Sequence, residues 1–322
     1  MPKIATDVER VELDGQYRVL REAAGAVRRP ERAFIRVTGS DAVEYVQGQI
    51  TNDVEALGEG EGCYAALLDR KGHVRADMRV LRPSGGELLI DLERLALPAA
   101  LQHLQTYSIG RQVEIVDVTG ELALVSAIGP GAREMIGTGP LTPEHTHREI
   151  ELGGTICRAV ATDLGVDLIL PAERAIPVLE TLDESGIVEA SEEAAEILRV
   201  ESGRPRFGAE IGATTMPAEA GIEVRAVSFT KGCYIGQETV ARLHYKGRPN
   251  RHLRGLRLGR PAAPGEPIRA GDRELGSTAT ACVSPALGPI ALAIVRREAE
   301  PGSSVEVGDD GATAQVVELP FA

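Results

Sequence analysis

The texture of the chain changes around residues 247–250, and that change limits the fold more than any other feature. After it, short aliphatic runs at 253–258, 274–283, 289–295, 304–307 and 312–319 are punctuated by Gly, Pro and an Asp-Asp-Gly turn. Runs of that length between turn residues, with no helical period, describe a small all-β domain, and we read it as a barrel. Before the change, helix-compatible and strand-like stretches alternate. A chain of 322 residues also exceeds one ordinary core. The reading is therefore residues 1–248 as two interleaved α+β domains and residues 249–322 as a β-barrel domain.

Within the first part, 33–37 reads as a strand, and Gly39-Ser40-Asp41 opens a helix to about Gln47 with Ser40 as its cap. Two strand-like runs, 63–69 and 73–81, flank Arg70-Lys71-Gly72 as a hairpin. A strand at 87–91, a helix at 98–107 and a strand at 113–118 follow, then a second βα-like run at 122–128 and 132–136 with strands at 155–161 and 166–170. The hairpins argue against a purely parallel sheet and for an α+β layered arrangement. A helix at 192–202 is capped by Ser191 and stopped by Gly203 and Pro205. No internal sequence repeat is visible.

Several chemistries are absent from the pattern. The N-terminus has no apolar secretory core and the aliphatic runs are too short to span a bilayer, so the expectation is a cytoplasmic protein with no membrane partner. Cys63, Cys157, Cys233 and Cys282 are scattered without a Cys-x-x-Cys pair, which indicates no disulfide framework, zinc site or iron–sulfur ligand motif. His145 and His147 read as a solvated loop rather than metal ligands, and no metal is expected.

Positive charge is concentrated instead. In a chain of formal charge -13, Lys231, Arg242, Lys246, Arg248, Arg251 and Arg254 share a stretch with a single acid, Glu238. That suits an anionic ligand. A helix over 237–245 places Cys233 just before a helix N-terminus with Lys231 two residues away, and both would favour the thiolate. Gly232 and Gly236 permit close approaches. The polar loop 47–53, with Asn52, offers donors and acceptors together, as the edge of a heterocycle requires. Asp77 sits on the second hairpin strand, either facing outward or functional. Glu201, in the last turn of its helix, shares Ile197's side and opposes the helix dipole.

KGCYIGQE, residues 231–238, resembles the motif of the YgfZ family, folate-binding proteins of iron–sulfur cluster assembly or repair related to the glycine-cleavage T-protein. The strand–helix opening with QGQ and TND, the R-x-E-x-G-x-P pattern of Arg199, Glu201, Gly203 and Pro205, and the Gly276-Ser277-Thr278 and PIALAIVR segments extend the resemblance over most of the chain. It implies three domains in a ring around a central folate channel. It further implies that Glu201 hydrogen-bonds the pterin, that Asp77 lies near the folate's reactive nitrogens, and that Arg242 faces the glutamate tail. Lys231, Tyr234, Gly236, Gln237 and Asn52 complete the expected tetrahydrofolate site, with Cys233 as a functional thiol.

Three functions are compatible with these residues. The first is a folate-dependent accessory factor in assembly or repair of iron–sulfur proteins, including radical-type tRNA-modifying enzymes, with those proteins or their assembly machinery as partners. The second is an aminomethyltransferase passing a one-carbon unit to tetrahydrofolate. The third is a tRNA-binding module, weakened by the overall acidity and by Tyr234 and Tyr245 being the only aromatics in the basic run; direct nucleic-acid binding is not expected. Whether the chain is an enzyme, by one-carbon transfer or thiol-based repair, stays open.

Overall fold

The computed structural model describes residues 7–321, with side chains from residue 12 onward. Two antiparallel-rich sheets and a closed barrel carry the architecture. In the first sheet the strands lie in the order Glu61–Leu68, Val74–Arg82, Leu88–Glu93, Arg32–Thr38 and Glu114–Asp117, every neighbour antiparallel. The second sheet runs Val188–Glu189, Gly25–Arg28, Leu122–Ile128, Gly165–Pro171, Thr155–Ala161 and His147–Leu152, with only the first pair parallel. The α+β expectation and the C-terminal barrel are both met.

The two sheets are built to one plan that leaves no visible sequence repeat. Strand Arg32–Thr38 turns at Gly39 into helix Ala42–Gln47, and strand Leu122–Ile128 turns at Gly129 into helix Ala132–Ile136. Both glycines have positive φ, 114° and 132°. At each, a Cβ would run into a backbone carbonyl oxygen, that of Gln112 or of Ala23. A three-stranded meander, a 3-10 turn leading into a helix (Leu97–Tyr107 or Ala175–Glu184) and a closing strand follow in each half, the first meander holding a further 3-10 turn at Ser84–Gly86. The Ser40 cap is corrected: Asp41 is the cap residue without a side-chain cap bond, and its carboxylate accepts from Ser40 Oγ and the Gln112 amide.

Alternation along the strands sorts the residues between faces. Ala76, Met78 and Val80 enter the core under helices Ala42–Gln47 and Leu97–Tyr107, while the intervening Asp77, Arg79 and Leu81 point the other way. On that second face Phe34, Leu81 and Leu89 pack against Leu124, Val160 and Ile169 of the other sheet. Full burial of each such side chain is worth about 1.5–3 kcal/mol. Where this contact ends, charged side chains replace it, and there the cavity described below opens.

Helix Asp7–Glu22 was not expected. Its stripe of Leu13, Tyr17 and Leu20 packs on Ala194, Ala195, Ile197 and Leu198 of helix Glu192–Glu201. The segment after that helix folds over the first sheet, burying Ile211, Ile222, Ala226 and Tyr234 against Ala66, Leu68 and Val74. The barrel closes through Arg251–Leu258, Gly288–Arg296, Arg273–Ser284, Pro267–Ala270, Ser304–Val307 and Ala312–Val317. Alternate residues fill it: Ala291, Ala293 and Val295, Val305 and Val307, Ala314 and Val316.

Candidate functional site

A cavity of about 260 Å³ lies between the sheets and helix Glu192–Glu201. Seven arginines and eight carboxylates line it, so the charges nearly cancel and the site is polar rather than cationic. Arg79 bridges the halves, donating to Asp91 of the first sheet at 2.5 Å and to Asp167 of the second at 2.8 Å. Arg32 also reaches Asp91 at 2.8 Å, and Ser126 donates to Asp167 at 2.6 Å. Burial pushes Asp167 upward, but Arg79, Ser126 and Arg29 outweigh it and hold the carboxyl below its usual range. Glu196 accepts from Arg199 at 2.8 Å and from Arg206 at 3.1 Å.

Asp77 is the sequence-predicted residue that reaches this cavity. Its Oδ2 accepts from the Tyr64 hydroxyl at 2.6 Å, while its Oδ1 is buried without a partner. Burial raises the carboxyl above the usual range in spite of Tyr64 and Arg32. Behind it, the Arg225 guanidinium lies 5.0 Å from the Tyr64 ring centroid and pairs with Glu144 at 2.7 Å.

The KGCYIGQE residues lie elsewhere, and their roles are largely architectural. Lys231 is 8% exposed, and its ammonium donates to the carbonyls of Gln47 and Ile50, fastening that turn. Burial pulls it down to about 8 although Asp53, Cys63 and Glu55 oppose the shift. The expectation that Lys231 flanks the Cys233 thiol is thus corrected: its charge faces the interior. The cysteine that feels it is Cys63, which burial nevertheless pushes up to about 12. Tyr234 is buried, packed on Leu68 and Val74, and is not available to stack on a base. Gly236, at φ 85°, touches the hairpin so closely that a Cβ would collide with the Asp69 carbonyl.

Gln237 starts helix Gln237–Lys246, on which Arg242 is exposed. Cys233 is exposed between these anchors. Asn52 spends its amide on backbone, donating to the carbonyls of Tyr64 at 2.8 Å and Arg225 at 3.0 Å and accepting from Asp53 N. Lys231, Tyr234, Gly236, Gln237, Arg242, Asn52 and Cys233 are all outside the cavity lining.

Glu201 is corrected as well. Its Oε1 accepts from Tyr17 at 2.9 Å and Ser284 at 2.5 Å, and its Oε2 from Arg21 at 2.8 Å, with the residue 7% exposed. It ties the N-terminal helix, its own helix and the barrel together. It borders a second cavity of about 540 Å³ with Leu20, Leu198, Leu287 and Phe321, which shares only Ile128, Asp163 and Leu164 with the first. The acids that helix Glu192–Glu201 presents to the central cavity are Glu192 and Glu196.

Residues 12–231 match the GCVT N-terminal domain, and residues 251–322 match the glycine cleavage T-protein C-terminal barrel domain. The chain belongs to the glycine-cleavage T-protein family. It is 30% identical to an aminomethyltransferase of Rubrobacter xylanophilus, over 96% of this chain and 86% of that one. It is 29% identical to the tRNA-modifying protein YgfZ of Yersinia pestis, over 69% of this chain and 67% of that one. Its fold matches the glycine cleavage system aminomethyltransferase T of Bartonella henselae with a TM-score of 0.87, at 21% identity, covering 96% and 89% of the two chains.

Within this T-protein fold the two histidines read as a solvated loop are not solvated, and His147 begins strand His147–Leu152. His147 is 3% exposed, its Nε2 3.2 Å from the Glu61 carbonyl, and burial with Arg158 pulls it down to about 4. His145 lines the central cavity. Among the described residues no group of three His, Cys, Asp or Glu could hold a metal ion, and no helix is long and apolar enough to cross a membrane. Tyr64, Glu196 and Arg199 are cavity residues that sequence reasoning missed. For Tyr64, the signal was its place in the strand paired with that of Asp77.

Proposed function

We propose that this T-protein family member binds a reduced folate in the cavity between its two sheets and serves as a folate-dependent accessory factor for iron–sulfur proteins in the cytoplasm. The observation that carries the folate assignment is Asp77 Oδ1, a buried acceptor without a donor on a residue lining the cavity. Reduced pterins present ring N–H and amino donors that satisfy such an atom. Glu196 offers a second carboxylate, already oriented by Arg199 and Arg206. Arg204, Arg206 and Arg225, each about a third exposed, supply cations for the glutamate tail in place of Arg242. Because each already holds a carboxylate, the ring contributes more than the tail to affinity. A bound reduced folate would supply one-carbon chemistry at its carbon-carrying nitrogens, and Asp77 would hold the pterin by accepting a hydrogen bond from one of its N–H groups.

The accessory role is supported by Cys233, an exposed thiol on a loop fixed by Lys231, Tyr234 and Gly236. An exposed thiol outside the cavity would be open to a protein partner rather than to the folate. The similarity to a tRNA-modifying YgfZ protein points the same way. A second reading, aminomethyl transfer to tetrahydrofolate, is favoured by the presence of Asp77 in the cavity and by the similarity to an aminomethyltransferase.

Calorimetric titration with tetrahydrofolate tests the first step. Binding by the wild type, weakened about tenfold in Asp77→Asn, is expected; an absence of binding removes the folate assignment. Cys233→Ala should still bind folate yet fail to sustain iron–sulfur enzyme activity in cells lacking the wild-type protein. Full complementation rejects the thiol, and turnover of an aminomethyl-lipoyl carrier protein selects the transferase reading.

A further inference from the structure

We propose that His145 is a ligand-contacting residue of the central cavity, its Nδ1 hydrogen-bonding the heterocycle that Asp77 also holds. The inference rests on the folate reading above and adds a residue to it that the family motifs do not mark.

His145 is the one non-glycine residue among those described with positive φ, at 74°. A side chain in this left-handed region is strained, and such strain persists only where the surroundings impose it. They do so here. The His145 amide donates to the Ala161 carbonyl at 2.9 Å, and Ala161 N returns a bond to Thr146 O at 2.9 Å. Gly62 leaves room for the His145 carbonyl, which would stand 3.0 Å from a Cβ at that position. A glycine at 145 would make the same turn without strain, so the imidazole itself is what the strain retains.

The imidazole is 14% exposed and lines the cavity, with Nδ1 buried and without a partner. Its Nε2 stands 3.7 Å from Glu144, beyond hydrogen-bond reach. Burial, reinforced by Arg79 and Arg204 against Asp167, holds the group down at about 3. At neutral pH it is therefore an uncharged ring with one N–H and one lone pair, able to donate or accept by choice of tautomer.

Two further buried unpaired atoms belong to residues that line the same cavity. From Glu144, next in sequence, contacts run through Arg225 and Tyr64 to Asp77, whose Oδ1 also lacks a donor. Arg79 Nε–H is a third buried group without a partner on a cavity residue. A fixed acceptor, a fixed donor and an adaptable imidazole suit a planar heterocycle with donors and acceptors along its rim. A histidine that merely filled space would leave a buried nitrogen unpaired with no return.

The test compares tetrahydrofolate binding and thermal unfolding of the wild type, His145→Gly and His145→Asn. His145→Gly should unfold at a higher temperature without ligand, because the strain is gone, yet bind tetrahydrofolate about tenfold more weakly. His145→Asn, which tolerates the left-handed backbone and sets an amide donor and acceptor where Nδ1 stands, controls for a loop loosened by the glycine and should recover most of the affinity. In the wild type, the His145 imidazole nitrogen resonances should move on tetrahydrofolate addition. Unchanged affinity in His145→Gly, or unmoved resonances on saturation, overturns the inference alone. No binding by the wild type overturns the folate reading with it.

Discussion

Replacing Glu201 by alanine separates a cofactor role from an architectural one. The carboxylate receives hydrogen bonds from the buried Tyr17 hydroxyl at 2.9 Å and from Ser284 at 2.5 Å. Bonds to a charged acceptor contribute about 1.5–3 kcal/mol each, and both hydroxyls lose that acceptor, although Ser284 Oγ keeps the amide donors of Ala286 and Leu287. The Arg21 pair adds little, because that side chain is 52% exposed and rehydrates on release. The expected loss is about 3–6 kcal/mol, which at about 2–4 °C per kcal/mol lowers the melting temperature by roughly 6–24 °C. Glu201→Gln, which keeps an acceptor and the volume, should lose about half as much. Differential scanning calorimetry measures the shift, and titration at low temperature measures tetrahydrofolate affinity in the population still folded. A melting temperature within 2 °C or so of wild type together with lost folate binding would refute the reasoning and return Glu201 to the pterin.

Other outcomes follow from the same contacts. Gly236→Ala places a Cβ against the Asp69 carbonyl at φ 85° and should destabilise by about 2–4 kcal/mol; a neutral effect in urea unfolding contradicts the packing of hairpin against helix. Cys233→Ser should leave stability within about 0.5 kcal/mol, since the side chain is exposed, and a larger loss shows that the thiol is structural. Acid should weaken the fold through His147: the unfolded chain takes up its proton near pH 6.5 and the native one only near 4. Stability is then full above about 6.5 and falls by about 3 kcal/mol as the pH drops to 4, with His145 adding to the loss in the same direction. Urea midpoints that stay level between pH 7 and pH 4.5 exclude that buried state.

What the sequence revealed was local. Ser191 caps its helix as expected, its hydroxyl accepting from Ala194 N at 3.3 Å, because capping needs only neighbouring residues. The barrel was legible from composition and turn spacing. Helix Asp7–Glu22 was not, because Leu13, Tyr17 and Leu20 are set among charges and become a core face only against helix Glu192–Glu201. His147 looked like a loop residue because its burial comes from the distant first sheet, where Gly60 accepts its amide hydrogen bond at 2.7 Å. Asp77 was found through family resemblance, whereas Glu196 resembled an ordinary acid in a polar helix. KGCYIGQE stood out as a motif, but nothing in its letters says which side chains turn inward.

That last point bears on how such a motif is kept over evolutionary time. Lys231 meets the turn at Gln47 and Ile50 while Tyr234 and Gly236 meet the hairpin around Leu68, so a change at any one requires an answering change elsewhere. Cys233 meets no such demand, and a single codon change could remove it from a chain that still folds. In descendants of this architecture the surrounding letters would record ancestry, and the letter at 233 alone would record whether selection still acts on the thiol.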